Sequence, residues 1–85
     1  MAAFTVDVRI MPRAALLDPQ GKAVEHALTA LGFDDIADVR VGRALTLHLD
    51  RADATTAERD ARSMCEKLLA NPVTEDFVLS VRTRA

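Results

Sequence analysis

Tryptophan and tyrosine are absent from this 85-residue chain, and its aromatic residues are Phe4, Phe33 and Phe77. A sheet that reads single-stranded RNA stacks bases on exposed aromatics. Two of the three phenylalanines fall on inward strand phases, so that function is excluded. Cysteine occurs once, at Cys65, which rules out an intramolecular disulfide. The two histidines, His26 and His48, form no cluster with it that would hold a structural metal. No apolar run approaches the roughly 20 residues that span a bilayer, so no membrane partner is expected. The N-terminus Met1-Ala2-Ala3-Phe4 lacks the basic region and apolar core of an export signal, and with the lone thiol this reads as cytoplasmic. Excess positive charge is missing too. Eleven Lys and Arg stand against 13 Asp and Glu, for a net charge of −2 with both signs interspersed. That pattern argues against nucleic acid as a partner.

What remains is a chain that folds. Hydrophobic residues make up 49% and charged residues 28%, which fits one globular domain over residues 1–85. A domain of this length buries only about 60–65% of the surface its unfolded chain exposes, and is marginal alone. Association with other chains is the expected remedy.

Phe4, Val6, Val8 and Ile10 alternate with Thr5, Asp7, Arg9 and Met11, the period of a strand with one buried face. Pro12 ends it. Asp18 and Pro19 open a helix as N-cap and first residue. Ala23, Val24, Ala27, Leu28 and Leu31 form its apolar stripe, and Gly32 with Phe33 closes it. Ile36–Val41 and Leu45–Asp50 read as a β-hairpin, with Gly42-Arg43 as the reversal. Thr55 and Glu58 have capping-box spacing ahead of a second stripe: Ala57, Ala61, Met64, Cys65 and Leu68. Asn71-Pro72 stops that helix, and Phe77, Leu79 and Val81 mark a last strand. The order β-α-β-β-α-β predicts an α+β ferredoxin-like sandwich, an antiparallel sheet with both helices on one face. The other face would carry Thr5, Asp7, Arg9, Thr46, His48, Ser80 and Arg82.

Little in this pattern points to catalysis. His26 and His48 have no nucleophile at a telling spacing, and Cys65 sits on a buried stripe as a small hydrophobe. Asp34, Asp35 and Asp38 match no calcium loop and read as solvated turn residues. Asp7 and Asp50 lack the cleft that paired catalytic carboxylates need. The loop Arg13-Ala14-Ala15-Leu16-Leu17 has no glycine with which to cradle a phosphate, so an acylphosphatase-like activity is disfavoured. Gly21 is conspicuous. In the first turn of a helix it costs about 0.5–1 kcal/mol against alanine, and close approach of another chain would explain it.

The stretches LDPQGKAVEHAL at 17–28, DVRVG at 38–42 and CEKLLANPVTEDF at 65–77 resemble the PurS family. PurS is the small subunit of phosphoribosylformylglycinamidine synthase. The resemblance covers nearly the whole chain. It implies the same fold, a homodimer or dimer of dimers, and a non-catalytic subunit that bridges a large ATP-dependent synthetase and a glutaminase in purine biosynthesis. No cofactor is then expected on this chain. ATP and magnesium would belong to the large subunit, and the nucleophilic cysteine to the glutaminase. The partner-contact residues expected from these stretches are Asp18, Gln20, Gly21 and Lys22, with Asn71, Glu75 and Asp76. Two segments depart from many relatives: the loop Arg13-Ala14-Ala15-Leu16, and the basic end Arg82-Thr83-Arg84-Ala85 where an acidic tail is common. The competing reading is a free-standing regulatory module of the same topology that binds a small ligand.

Overall fold

The alternating first segment forms β1 (Ala2–Pro12), the central strand of a three-stranded antiparallel sheet in a computed structural model that describes residues 1–84. It is flanked by β2 (Arg43–Arg51) and β3 (Glu75–Thr83), so each of these keeps one free edge. The registers carry one phase across the sheet. Val6 lies opposite Leu47 and Val81, and Val8 opposite Leu45 and Leu79. Both residues are buried, as are Phe4 and Ile10. The opposite phase holds Thr5, Asp7 and Arg9 against His48, Thr46 and Ala44, as the alternation predicts.

Helix α2 (Ala54–Met64) covers the inner face, packing on all three strands and most on β3. Its Ala57 and Ala61, with Cys65 just beyond, are fully buried over β1. Small residues there let the helix approach the sheet closely, leaving the larger β1 side chains to fill the space. The predicted capping box is replaced by Asp53, whose carboxylate accepts from the Thr56 N–H at 2.8 Å. An ionised acceptor at the positive helix end is the stronger cap.

The last turn, Cys65–Leu69, is π-helical, with the Ala70 N–H donating to the Cys65 carbonyl at 2.9 Å. A π turn delays the helical phase by about one residue. Leu69 therefore packs against the core, and Leu68, expected inside, is 81% exposed.

The larger departure lies between Pro19 and Gly42. Helix α1 (Pro19–Ala30) begins and ends as the sequence implies. Asp18 caps it, and Gly32 takes a φ of +99°. The Phe33 N–H donates to the Leu28 carbonyl and the Gly32 N–H to that of Thr29, which is a Schellman closure. Yet α1 has no substantial packing on the sheet or on α2, and its only buried residue is Gly21. The α+β ferredoxin-like class holds, an antiparallel sheet with two helices, but α1 does not pack beside α2 within this chain. Nor does Ile36–Val41 form a strand, so the order is β-α-β-α-β.

The hairpin fails at Gly42. A two-residue reversal needs positive φ, and among the described residues Gly32 alone has it. Gly42 instead lies flat on β1, where a Cβ would come 2.2 Å from the Ile10 carbonyl oxygen. The chain runs straight into β2 and α1 stands off as an arm. The radius of gyration is 16.5 Å, with extents of 52 × 29 × 15 Å. A compact chain of this length has about 12 Å.

Candidate functional site

Three connecting segments converge at one end of the sheet: the β1–α1 loop, residues 39–43, and the turn before β3. Asp18 is the hub. Proline at N1 pre-sets the helical φ, and the Asp18 backbone before it is extended, which turns its side chain back onto the first turn. Its Oδ1 accepts from the Gly21 N–H at 3.1 Å and its Oδ2 from the Val41 N–H at 2.7 Å. Those two backbone donors, Val41 first, hold its carboxyl below the ordinary carboxylate range. The residue is buried, at 7% exposure.

Gly21 is explained by the same joint. A Cβ there would lie 2.1 Å from the Val39 carbonyl oxygen. The close approach expected from another chain is thus made by this chain's own backbone.

Arginines complete the cluster. Arg40 donates to the Arg13 carbonyl at 2.6 Å, and Arg13 donates to the Pro72 carbonyl at 2.6 Å while facing Asp76 at 3.5 Å. Arg43 grips Glu75 with both terminal nitrogens, at 2.6 and 3.0 Å, and reaches the Leu69 carbonyl. A bidentate guanidinium–carboxylate pair fits geometrically and electrostatically. It lowers the Glu75 pKa and raises that of Arg43. Glu75 also accepts from the Asn71 N–H at 2.7 Å, and Asn71 accepts from Val73 and Glu75 N–H groups, closing the turn.

The residues singled out from sequence divide accordingly. Asp18, Gln20 and Glu75 line one open cleft of about 640 Å³, with Leu16, Leu17 and Arg43. Gly21 is sealed beneath Val39, and Lys22 points to solvent beside Glu25 at 3.3 Å. Asn71 belongs to the closed turn, and Asp76 lines a smaller neighbouring cleft of about 310 Å³ with Arg13, Arg62 and Phe77. Arg40 and Arg43 gave no signal in the sequence, because their partners are 27 and 32 residues away.

Most polar groups here are spent on each other, Arg40 Nε being buried without a hydrogen-bond partner among the described residues. His26 is exposed on α1, and His48 lies on the outer face with Nδ1 3.3 Å from the Thr5 hydroxyl. Burial pushes the Cys65 thiol up, away from the reactive thiolate. Among the described residues, no group of three His, Cys, Asp or Glu is placed to hold a metal, and no helix is long and apolar enough to cross a membrane. The arrangement ties the three segments together through hydrogen bonds and ion pairs.

Residues 5–83 match the family model described as PurS: phosphoribosylformylglycinamidine (FGAM) synthase. The phosphoribosylformylglycinamidine synthase subunit PurS of Bacillus subtilis is 40% identical over 78 residues, 87% of each chain. That of Mycobacterium leprae is 41% identical over 73 residues, covering 86% of this chain and 89% of its own. Among solved structures, Bacillus subtilis PurS superposes with a TM-score of 0.82 at 37% identity, covering 93% of this chain and 98% of that one. The PurLQS structure from Thermotoga maritima gives 0.85 at 26% identity, over 99% and 100%. With sequence and fold both matched over nearly their full length, the chain belongs to the PurS family of phosphoribosylformylglycinamidine synthase subunits.

Proposed function

We propose that this chain is the bridging subunit that holds a large synthetase and a glutaminase together. It thereby serves the ATP- and glutamine-dependent conversion of formylglycinamide ribonucleotide to formylglycinamidine ribonucleotide. The observation that carries this reading is the family match over residues 5–83, joined to a site whose charged groups are bound to one another rather than poised on a substrate. Ammonia released by a glutaminase must reach the synthetase without escaping to water, so relative placement of the two is part of the chemistry. A rigid face supports that placement better than a mobile loop does. ATP and magnesium bind the large subunit in this scheme, in the cytoplasm, and the nucleophilic cysteine is the glutaminase's.

The contact face comprises the cleft mouth at Gln20, the solvent-facing Lys22 and the neighbouring Asp76. Asp18, Gly21, Asn71 and Glu75 act beneath it as the frame. Self-association into a dimer or dimer of dimers belongs to the same reading.

Reconstitution from three purified subunits tests it. Glutamine-dependent product formation should require this chain and fall to background when it is omitted. Full activity in its absence overturns the proposal.

A further inference from the structure

Arginine is unevenly satisfied across this chain. Arg13, Arg43, Arg51, Arg59, Arg62 and Arg82 each face a carboxylate at ion-pair distance. Arg9 and Arg40 face none among the described residues. They come from different parts of the chain, one from the central strand and one from the segment before β2, yet they line a single cleft. That cleft, of about 330 Å³, is completed by Met11, Gly42, Arg43 and Ala44. Three arginines and no acid line it.

Each of the two unpaired cations has a local cause. Arg9 is exposed on the outer phase of β1, opposite Ala44 on one side and Val78 on the other. Neither neighbour offers a side-chain acceptor, so no cross-strand pair forms. Ala44 is also the smallest side chain on the outer phase of β2, which leaves room beside Arg9. Arg40 is fixed through Nη2, which donates to the Arg13 carbonyl at 2.6 Å, while its Nε is buried with no acceptor among the described residues. A buried donor left open costs free energy, and an acceptor arriving from outside recovers it. Asp18 is near enough for the Arg40 charge to help lower its pKa, but its two oxygens are taken by the Gly21 and Val41 N–H groups. Arg43 is neutralised by Glu75. The cleft therefore keeps two positive charges in a chain whose net charge is −2.

We propose that this cleft binds a phosphate group, with Arg9 and Arg40 as its guanidinium donors. The planar fork of a guanidinium matches the spacing of phosphate oxygens. Two cations balance a phosphate dianion, whereas a carboxylate leaves one of them uncompensated. A chain of net negative charge repels a polyanion, so the ligand is small: inorganic phosphate or the phosphate ester of a sugar. The site stands apart from the bridging role, and its test uses the chain alone, so its failure leaves the three-subunit reconstitution standing.

Inorganic phosphate is titrated into the 15N-labelled full chain at about pH 7.5, where it is mostly a dianion, with ionic strength held constant to remove general screening. Saturable shifts should appear at the Arg9 and Arg40 Nε–H signals and at the Gly42 and Ala44 amides, and acetate at the same concentrations should not reproduce them. Arg9→Gln should weaken binding by about tenfold or more while leaving the melting temperature without phosphate unchanged, because that side chain is exposed and unpaired. Lys67→Gln, which removes an equal charge from another exposed position, should bind as the unsubstituted chain does. Ribose 5-phosphate separates the two sources. Tighter binding than the inorganic ion assigns the site to a sugar phosphate, and equal or weaker binding assigns it to the free ion. Shifts that fail to saturate, that acetate reproduces, or that persist undiminished in Arg9→Gln overturn the proposal.

Discussion

The body of this protein and its arm are both amphipathic, but they stand on different supports. In the body, β1 offers Val6, Val8 and Ile10 to α2, and each is buried almost completely. In the arm, α1 has well-formed caps at both ends and an apolar stripe without substantial packing on the sheet or α2. Local signals decide whether a segment becomes helical. Burial decides whether that helix contributes to the stability of the chain, since most helical stability in proteins comes from packing. The arm is accordingly held by a polar joint at Asp18 and by close backbone contact at Gly21, and the body by an apolar core.

The comparison predicts a ranking. Ile10→Ala, at a fully buried site, should destabilise the body by about 3 kcal/mol in urea titrations, whatever the protein concentration. Val24→Ala, at 40% exposure, should cost under about 0.5 kcal/mol in dilute solution, and more as concentration rises. Equal and concentration-independent losses would erase the distinction between the two regions.

The two glycines sharpen it. Gly42→Ala forces a methyl onto the Ile10 carbonyl, and overpacking of this kind costs about 1–3 kcal/mol of global stability. Gly21→Ala makes the corresponding clash with Val39 at the joint, so hydrogen exchange should rise in residues 19–41 while β1 stays protected. Loss of β1 protection in Gly21→Ala would show that arm and body unfold as one.

The smallest effect is in pH. Asp18 has a folded pKa below its ordinary 3.8, so its contribution is complete above that value and is lost as pH falls through the depressed one. Glu75 behaves alike from its ordinary 4.5. Asp18→Asn should therefore loosen the arm at pH 7, and its difference from the unsubstituted chain should shrink below about pH 4. A constant difference across that range would remove charge from the account of the joint.

Much of the fold was legible. The period-two run at Phe4–Met11 fixes which β1 residues face the core, and Asp18-Pro19 with Gly32-Phe33 marks both ends of α1 correctly. Asp53 was missed because Thr55 and Glu58 imitate a cap two residues later. Leu68 was misplaced because a π turn leaves no trace in a pattern read at 3.6 residues per turn. At the candidate site, Asp18 stood out as a helix cap and Gly21 by its local oddity, whereas Arg40 and Arg43 look like ordinary surface charge until a distant carbonyl or carboxylate arrives.

Residue pattern settles three of the four strands and both helices here, with the apolar face of β1, and that 85 residues with one cysteine make a small domain in need of company. It does not settle what covers each face. Gly42 permits either a reversal or a straight run, and the same residues 36–41 serve a closed hairpin or an open arm. Tertiary structure makes that choice, because it depends on the Ile10 carbonyl, more than 30 residues away in sequence, against which position 42 lies too close to carry a Cβ.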